Sequence, residues 1–250
     1  MTVVSKNVIY AILIVCLIAG IFVGFFIIRD SDISIRNLSV TLDGHVKGST
    51  SAEILIVEIS DYQCPFCKKF IEQSMPSIKN NYIDKGIVKF IFKNFPLLGH
   101  RNAKTSAEAA ECAGKEGKFW EMHDAIFGNQ NVWSSLENPD ASLQSIAINM
   151  NTSIKACMDN DETLEKINSD YNELSKNRIS STPSFYILIK RTDKAETRIK
   201  NLVSLLNQKY KQAGIEFHVI AIEDYIGTDP VGALPYPVFR EIIEGFLSID

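Results

Sequence analysis

The chain has 250 residues, of which 46% are hydrophobic, and a formal net charge of −4. This length suits one globular domain with an additional segment, and it is sufficient to bury a substantial core. The mild acidity, together with the absence of a basic stripe interleaved with aromatic residues, argues against nucleic acid as the main partner. We therefore expect a protein that binds no nucleic acid.

The first distinctive segment is an uncharged run of 21 residues at 8–28. As a helix rising about 1.5 Å per residue, it would span about 30 Å, the thickness of the hydrocarbon core of a bilayer. A cleaved signal peptide has a shorter apolar region and a small-residue exit, whereas this run ends in Phe25-Phe26-Ile27-Ile28. The pattern favours a short tail at 1–7 and an uncleaved, single-pass transmembrane anchor at 8–28, with a removed signal peptide as the alternative.

The part of the chain after the anchor divides into a linker and a domain. Residues 29–51 are polar and turn-rich, which favours a linker with at most one short strand near 38–40. Residues 54–59 are largely β-branched and, apart from Glu58, apolar, as is typical of a buried strand. A helix at about 64–82 and an alternating strand at 87–95 follow. Strand, helix and strand of these lengths predict a βαβ unit with parallel strands.

The remaining sequence predicts further helices and strands of one α/β domain over 52–250. Short amphipathic helices are expected throughout 102–176. The segment 191–230 begins with a helical pattern and continues with strand character at 215–222. A helix from about 237 to 247 closes the domain.

The feature that suggests chemistry is a pair of cysteines, Cys64 and Cys67, at the predicted start of a helix. Pro65 suits the first helical position, because its missing N–H costs nothing there. The free amide hydrogens and the positive end of the helix dipole would stabilise a Cys64 thiolate and lower its pKa. The spacing places both sulfur atoms on one face, within reach of a disulfide. We therefore predict Cys64 as the exposed nucleophile and Cys67 as the more buried resolving thiol.

Two other interpretations of this motif need to be considered. A structural zinc site would require two more ligands, but the chain has no second CxxC or HxxxH. A purely structural disulfide is also conceivable, although a strand directly before the motif and a helix directly after it are typical of a redox centre. We expect no metal and no cofactor.

Several stretches accompany the motif in a characteristic order. The first, at 57–67, reads VEISDYQCPFC, and others lie at 109–123, 181–185 and 232–239. Together they resemble the DsbA family of thioredoxin-fold thiol–disulfide oxidoreductases, most closely its BdbD-like branch. The resemblance implies a thioredoxin-like mixed sheet flanked by helices, with a helical insertion at about 102–176. The resemblance also implies that the last strand of the fold and the start of its last helix lie at 232–239.

The segment 191–230 departs from the family pattern. The family usually joins its last two strands by a tight turn, whereas this chain inserts about forty residues. The amphipathic character of the segment indicates that it packs against the domain.

The resemblance also implies roles for individual residues. Pro183 would be a cis-proline facing the motif, with Thr182 presenting its backbone to a substrate; without the motif, Thr-Pro would indicate an ordinary turn. Glu58 occupies the position where the wider thioredoxin fold often keeps an acid, and it could exchange a proton with Cys67. The alternative is a carboxylate at a strand end that reaches solvent. Phe66 offers bulk rather than charge, so an extremely oxidising potential is not assumed.

Two further cysteines, Cys112 and Cys157, fall on different predicted helices of the helical insertion. Many members of the family have cysteines at these points, which implies a second, structural disulfide. Two buried free thiols are the alternative. His100 and His123 also match the family pattern, although loop positioning and core packing explain them adequately.

The function implied by the resemblance is a membrane-anchored disulfide oxidase. Its substrates would be thiols of exported or surface proteins, which react through a mixed disulfide with Cys64. A membrane quinone-linked oxidase of the DsbB or vitamin K epoxide reductase kind would re-oxidise it. The cysteine chemistry, rather than the flanking charges, places the domain on the extracytoplasmic side of the cell membrane. The alternatives are a reductase or isomerase of the same compartment and a non-enzymatic, membrane-tethered binding module.

Overall fold

The computed structural model describes residues 33–248 of the chain. The predicted tail at 1–7 and anchor at 8–28 lie outside these residues. Among the helices of residues 33–248, none combines the length and the apolar character needed to cross a membrane.

The described chain contains a mixed sheet of seven strands. Their bounds are β1 Ile35–Leu38, β2 His45–Lys47, β3 Ile54–Ser60, β4 Val88–Asn94, β5 Ser184–Lys190, β6 Val219–Ile222 and β7 Tyr225–Thr228. The spatial order is β1-β6-β7-β5-β3-β4-β2. β3 pairs in parallel with β4 and antiparallel with β5, so the predicted βαβ unit is present.

Helices flank this sheet, which confirms the predicted α/β architecture. Their bounds are α1 Pro65–Gln73, α2 Met75–Ile78, α3 Ala103–Lys115, α4 Phe119–Gly128, α5 Gln130–Trp133, α6 Asp140–Asn149, α7 Lys155–Asp159, α8 Leu164–Lys176, α9 Asp193–Tyr210 and α10 Tyr236–Leu247. A π-helical turn at Lys79–Ile83 follows α2, and a 3-10 turn at Lys211–Ala213 follows α9. The segment α3 to α8 is the helical insertion.

The interior strand β3 is buried at every position, as its largely apolar sequence predicts. Successive side chains of a strand point to opposite faces of the sheet. Val57 and Ile59 therefore share one face, where they pack in a cluster with Leu174 of α8 and Tyr186 of β5. Glu58 lies on the other face of the strand.

The prediction of a linker at 29–51 is wrong for residues 33–51, which are the part of it that the structure describes. β1 pairs in parallel with β6, and β2 pairs antiparallel with β4, so both belong to the sheet. Neither strand has a buried position, and both are short. Their strand conformation depends on partners distant in the sequence rather than on their own hydrophobic pattern, which is why the pattern did not reveal them.

The last strand also differs from the prediction. It is β7, which pairs antiparallel with β5 and lies inside the segment assigned to the extra insertion. Residues 232–236 form no strand, and Val231 makes only an isolated bridge to Ser184. Pro230 and Pro235 have no amide hydrogen to donate, so a regular ladder does not continue there. The insertion proper is thus 191–224, and its strand β6 extends the sheet between β7 and β1.

Cys112 of α3 and Cys157 of α7 form a disulfide in the structure, with a Cα–Cα distance of 5.8 Å. Their sequence separation is 45 residues. The bond therefore joins two helices of the helical insertion that have no other covalent constraint between them.

Replacing Cys112 and Cys157 with alanine should lower the free energy of unfolding by about 3–4 kcal/mol. The reason is that the crosslink restricts the unfolded chain, and the restriction grows with the length of the closed loop. Urea unfolding of the double variant, compared with the parent protein, measures the effect. A Cys64→Ala/Cys67→Ala background removes the motif thiols from the comparison. Equal stability of both proteins in that background would contradict the prediction.

Candidate active site

A tight turn carries the chain from β3 into α1 and presents the cysteine motif. Cys64 is the N-cap of α1, with an extended backbone, and Pro65 occupies the first turn of the helix. The Cys64 amide donates to the carbonyl of Asp61 at 3.0 Å, and its carbonyl accepts from the Lys68 amide at 3.2 Å. The sulfur of Cys64 therefore sits at a helix N-terminus, where an anion is favoured.

The two motif cysteines are free thiols, and both are buried. Cys64 is 3% exposed, which differs from the exposed nucleophile expected from the sequence, and Cys67 is fully buried. Cys64 is covered because the Thr182 loop lies against it: its Sγ donates to the Thr182 carbonyl at 3.4 Å. Phe66, between the cysteines, is 59% exposed. Access to the Cys64 sulfur is therefore narrow and passes this loop.

The two thiols have opposite acidities. The hydrogen bond from the Cys67 thiol is the main cause that lowers the pKa of Cys64 to about 6, assisted by the Thr182 side chain and by the backbone amides of Cys67 and Phe66. Burial raises the pKa of Cys67 well above its ordinary value, and the hydrogen bond and charge of Cys64 and the charge of Glu58 raise it further. At neutral pH the reduced pair therefore consists of a Cys64 thiolate and a Cys67 thiol.

Alkylation of the reduced protein should show this acidity directly. The rate of iodoacetamide reaction at Cys64 should rise with a midpoint near pH 6 rather than near the ordinary value of 9. In Cys67→Ala the midpoint should move upward, because the main stabilising hydrogen bond is lost. Mass spectrometry of the Cys64 peptide over a pH series gives both midpoints. A midpoint near 9 in the parent protein would contradict the assigned thiolate.

Glu58 lies on β3, and its carboxyl does not reach solvent. It is fully buried, and neither of its oxygens has a hydrogen-bond partner among residues 33–248. Burial raises its pKa to about 8. Since its charge raises the pKa of Cys67, the two groups are electrostatically coupled. Near neutral pH the protonated form of this carboxyl can supply a proton and its ionised form can receive one.

The loop that faces the cysteines contains a cis peptide bond between Thr182 and Pro183. The Pro183 carbonyl accepts from the Gly232 amide at 2.8 Å. The Phe185 amide donates to the Pro230 carbonyl at 3.0 Å. These bonds fix the loop to the segment before α10, so that Thr182 and Pro183 lie over the motif.

Asp61, which the sequence reasoning missed, organises the turn before the motif. Its carboxylate accepts from the amides of Gln63 at 2.7 Å and Leu97 at 2.9 Å. It also bonds His100 Nδ1 at 2.7 Å. His100 therefore positions a loop. In the sequence, the only sign of the role of Asp61 was that this residue lies directly before the motif.

A second set of missed contacts joins the motif turn to the helical insertion. Gln130 is buried, and its amide donates to the carbonyls of Tyr62 at 2.7 Å and Cys64 at 3.1 Å. Gln63 donates to the Ser134 carbonyl at 2.8 Å. No local pattern marks Gln130, because its partners are 66 and 68 residues away in the sequence.

His123 belongs to the core beside the motif rather than to a metal site. It is 1% exposed and lies in an aromatic cluster. The rings around it are Tyr62, Phe92, Phe119, Trp120 and Phe127. Burial lowers its pKa. Across residues 33–248, no three His, Cys, Asp or Glu side chains are grouped so that they could hold a metal ion.

Exposed apolar side chains occur on the segments next to the motif. They are Phe66 at 59%, Leu98 at 91%, Val132 at 61% and Leu136 at 38% exposure. Leu98 directly follows Leu97, whose backbone amide donates to the Asp61 carboxylate. The Leu136 carbonyl accepts a hydrogen bond from the side-chain amide of Asn102. The backbone amide of Asn102 donates to the side-chain oxygen of Gln63. An apolar rim around a reactive centre is typical of a surface that contacts other polypeptides.

Comparisons with known proteins agree with this geometry. A family model described as thioredoxin matches residues 41–208. This chain belongs to the thioredoxin family. The predicted thioredoxin-like fold is thereby confirmed.

Individual relatives place the chain within this family. Disulfide bond formation protein D of Bacillus subtilis is 31% identical over 149 residues, which cover 57% of this chain and 66% of that protein. The crystal structure of oxidised BdbD from Bacillus subtilis superposes with a TM-score of 0.55 at 26% identity, over 62% of this chain and 87% of that chain. Within the thioredoxin family the chain is therefore DsbA-like, as the resemblance implied.

Another relative matches over a shorter stretch. The Na(+)/H(+) antiporter NhaA 3 of Salinispora tropica is 36% identical over 88 residues, which are 35% of this chain. The match spans only 13% of that protein. The shared region is thus a small part of a much longer chain.

Proposed function

We propose that the chain is a membrane-anchored, extracytoplasmic thiol–disulfide oxidoreductase that oxidises cysteines of exported proteins. The observation that carries the proposal is the Cys64 thiol, whose pKa is lowered to about 6 at a helix N-terminus beside Cys67. A stabilised thiolate favours the reduced pair over its disulfide, which makes the disulfide a stronger oxidant. The DsbA-like relatives support the same chemistry.

The reaction begins with the Cys64–Cys67 pair as a disulfide. A substrate thiolate attacks the Cys64 sulfur, the Cys64–Cys67 bond breaks, and a mixed disulfide forms. Cys67 leaves as a thiolate and takes up a proton, for which the buried Glu58 carboxyl is the proposed donor. A second substrate thiolate then attacks the substrate sulfur of the mixed disulfide. The products are a substrate disulfide, a Cys64 thiolate and a Cys67 thiol, so two electrons have passed to the protein.

The substrate would be held by groups around the motif. The Thr182 carbonyl contacts the Cys64 sulfur, and the cis peptide bond follows it, so this loop would present its backbone to a bound strand. The apolar rim, which includes Phe66 and Leu98, suits the apolar residues of an unfolded polypeptide. We therefore propose unfolded exported proteins as the substrate class.

Turnover requires removal of the two electrons from the Cys64–Cys67 pair. We propose a membrane quinone-linked disulfide oxidase of the DsbB or vitamin K epoxide reductase kind as the re-oxidant. A domain tethered at the membrane surface would meet such a partner without free diffusion.

The proposed location depends on two features. The uncharged run at 8–28 has the length of a transmembrane helix. The disulfide between Cys112 and Cys157 is of a kind that persists in oxidising compartments. Alkaline carbonate extraction of membranes tests the anchor, and a membrane-impermeant maleimide applied to Lys85→Cys, which places a thiol at an exposed position, tests the side of the membrane. Release by carbonate, or labelling only after lysis, would refute the proposed location.

A direct test of the activity uses reduced, unfolded ribonuclease and the oxidised full-length chain in detergent. Ribonuclease activity should return with the parent protein and not with Cys64→Ser. Lys85→Gln is the matched control, because Lys85 is exposed in the turn before β4, at the opposite end of the sheet. It should behave as the parent protein does. Equal recovery with the parent and with Cys64→Ser would favour the membrane-tethered binding module instead.

A further inference from the structure

A cleft of about 710 Å³ lies beside the cis-proline loop. Its walls come from β1, the loop after α8, the start of β5 and the insertion 191–224, with Asp229 and Val231 completing the lining. β5 begins at Ser184, directly after Pro183, and runs antiparallel to β3. The cleft is therefore at the end of the sheet where β3 delivers Cys64. We call it the cis-proline cleft.

The insertion contributes directly to this cleft. Gly214, Ile215, Glu216 and His218 all line it, and they precede or begin β6. Ser184 and Phe185, which follow the cis-proline, line the same cleft. The insertion thus forms a wall of a cavity whose lining on β5 begins one residue after the cis-proline. Volumes of about 300–1,000 Å³ suit a ligand or a few residues of a polypeptide.

One acidic group of the cleft is already compensated. Asp229 accepts hydrogen bonds from the His218 amide at 3.0 Å and pairs with His218 Nδ1 at 2.9 Å. Arg36 lies 3.7 Å from the same carboxylate. His218 and Arg36 therefore already compensate the charge of the Asp229 carboxylate, which does not favour binding of a further cation.

Two cations of the cleft have no such compensation. Lys176 and Arg178 line it and are exposed. Among residues 33–248, the side chains of Lys176 and Arg178 form no hydrogen bond and have no acidic partner within 4.0 Å. Arg36, in contrast, lies 3.7 Å from the Asp229 carboxylate. Glu216 is the remaining acidic residue of the lining. The charge balance therefore favours a negatively charged ligand.

One lining residue of the cleft carries a buried hydroxyl. Tyr186 lines it and is 1% exposed, and its hydroxyl has no hydrogen-bond partner among the described residues. Burial raises its pKa, and the charges of Asp229 and Glu173 raise it further, so the group remains an O–H donor. A buried hydroxyl without a partner is unfavourable, and an acceptor atom of a ligand that reached it would relieve that cost.

Arg178 has an unfavourable backbone for its residue type. Its φ is 66°, in the left-handed region, one position after Asn177 at the C-terminus of α8. Glycine is preferred at such positions, because a side chain is disfavoured in the left-handed region. An arginine there is consistent with a use for its side chain.

We propose that the cis-proline cleft binds an acidic side chain of the polypeptide whose cysteine reacts at Cys64. Lys176 and Arg178 would recognise the carboxylate, and Tyr186 would donate a hydrogen bond to it. The inference rests on the proposed function and assigns a sequence preference to it. An extended chain advances about 3.3 Å per residue, so an acid within a few residues of the reactive cysteine reaches the cleft.

The test uses the oxidised full-length chain in detergent and synthetic dithiol peptides as substrates. Aspartate is scanned over about four positions on either side of the cysteines, a span of about 13 Å each way. Each peptide is paired with an asparagine version. The measured quantity is the second-order rate constant for oxidation of the peptide. At one or two positions, the aspartate peptide should react about tenfold faster than its asparagine partner, and high salt should reduce the difference.

Three variants assign the preference to the cleft. Arg178→Gly removes the guanidinium at a backbone position that suits glycine, so the fold is not put at risk. It should bring the aspartate-to-asparagine rate ratio close to one. Tyr186→Phe should lower the ratio, whereas Lys85→Gln, the exposed control far from the motif, should preserve it.

Two results would overturn the inference alone. One is a ratio near one at every position in the parent protein, and the other is an unchanged ratio in Arg178→Gly, which would locate the recognition elsewhere. In both cases the asparagine peptides are still oxidised, so the proposed function stands. Failure to oxidise any peptide would instead overturn the proposed function, and the inference with it.

Discussion

Cys67→Ser should accumulate a stable mixed disulfide between Cys64 and a disulfide-containing peptide, and Cys64→Ser should accumulate none. The Cys64 thiolate, with a pKa lowered to about 6, is the reactive group at neutral pH. Without Cys67, no neighbouring thiol displaces the bound peptide. Turnover of reduced ribonuclease should fall by on the order of a thousandfold or more in both variants, because each lacks one half of the redox pair.

Non-reducing electrophoresis and mass spectrometry of the adduct measure this difference. The matched control is the double variant Cys112→Ala/Cys157→Ala, which removes two other cysteines and leaves the motif intact. It should still oxidise ribonuclease under conditions where it is folded. Adduct formation by Cys64→Ser and not by Cys67→Ser would show that Cys67 is the attacking thiol and would reverse the assigned roles.

Glu58→Leu should make the protein more stable at pH 7, with the largest stability gain expected from a single substitution. In the folded protein the pKa of Glu58 is raised to about 8, compared with an ordinary value of 4.5. The unfolded chain therefore releases this proton at lower pH than the folded protein does. Stability is lost as pH rises above about 4.5, and the loss reaches about 3 kcal/mol at pH 7. Leucine has similar bulk and does not titrate.

Urea unfolding of the oxidised protein at several pH values between about 4 and 8 tests this expectation. The oxidised state is used because the titration of the Cys64 thiol would otherwise contribute with the opposite sign. The parent protein should lose stability relative to Glu58→Leu as the pH rises. Glu58→Gln, which retains a polar group but does not titrate, should show the same pH dependence as Glu58→Leu. Parallel curves for the parent and both variants would show that Glu58 ionises without cost in the folded protein.

The parts of the site that could be predicted are those with a local cause. A continuous β-branched run makes β3, and Pro65 after Cys64 marks the start of α1. The hydrogen bond from Cys67 is the main cause that lowers the pKa of Cys64, and the amides at the helix N-terminus assist it. The positions of Thr182 and Pro183 had no such local cause and required the family resemblance, because they lie 118 residues from Cys64.

The parts that were missed depend on distant contacts. Gln130 reaches the motif turn across 66 residues, and its own sequence neighbourhood is an ordinary helix. β1 is a strand because β6 lies beside it, although its own residues are largely exposed. The burial of Cys64 likewise results from the Thr182 loop. In each case the partner, rather than the local sequence, determines the structure.

The central claim is that the Cys64–Cys67 pair donates disulfides outside the cytoplasm. Its most direct test is the redox state of this pair in growing cells, read by acid quenching and alkylation with a thiol reagent that shifts electrophoretic mobility. The pair should be predominantly a disulfide, because an oxidase is kept oxidised by its membrane partner. A predominantly dithiol pair would contradict the claim and identify the protein as a reductase or isomerase.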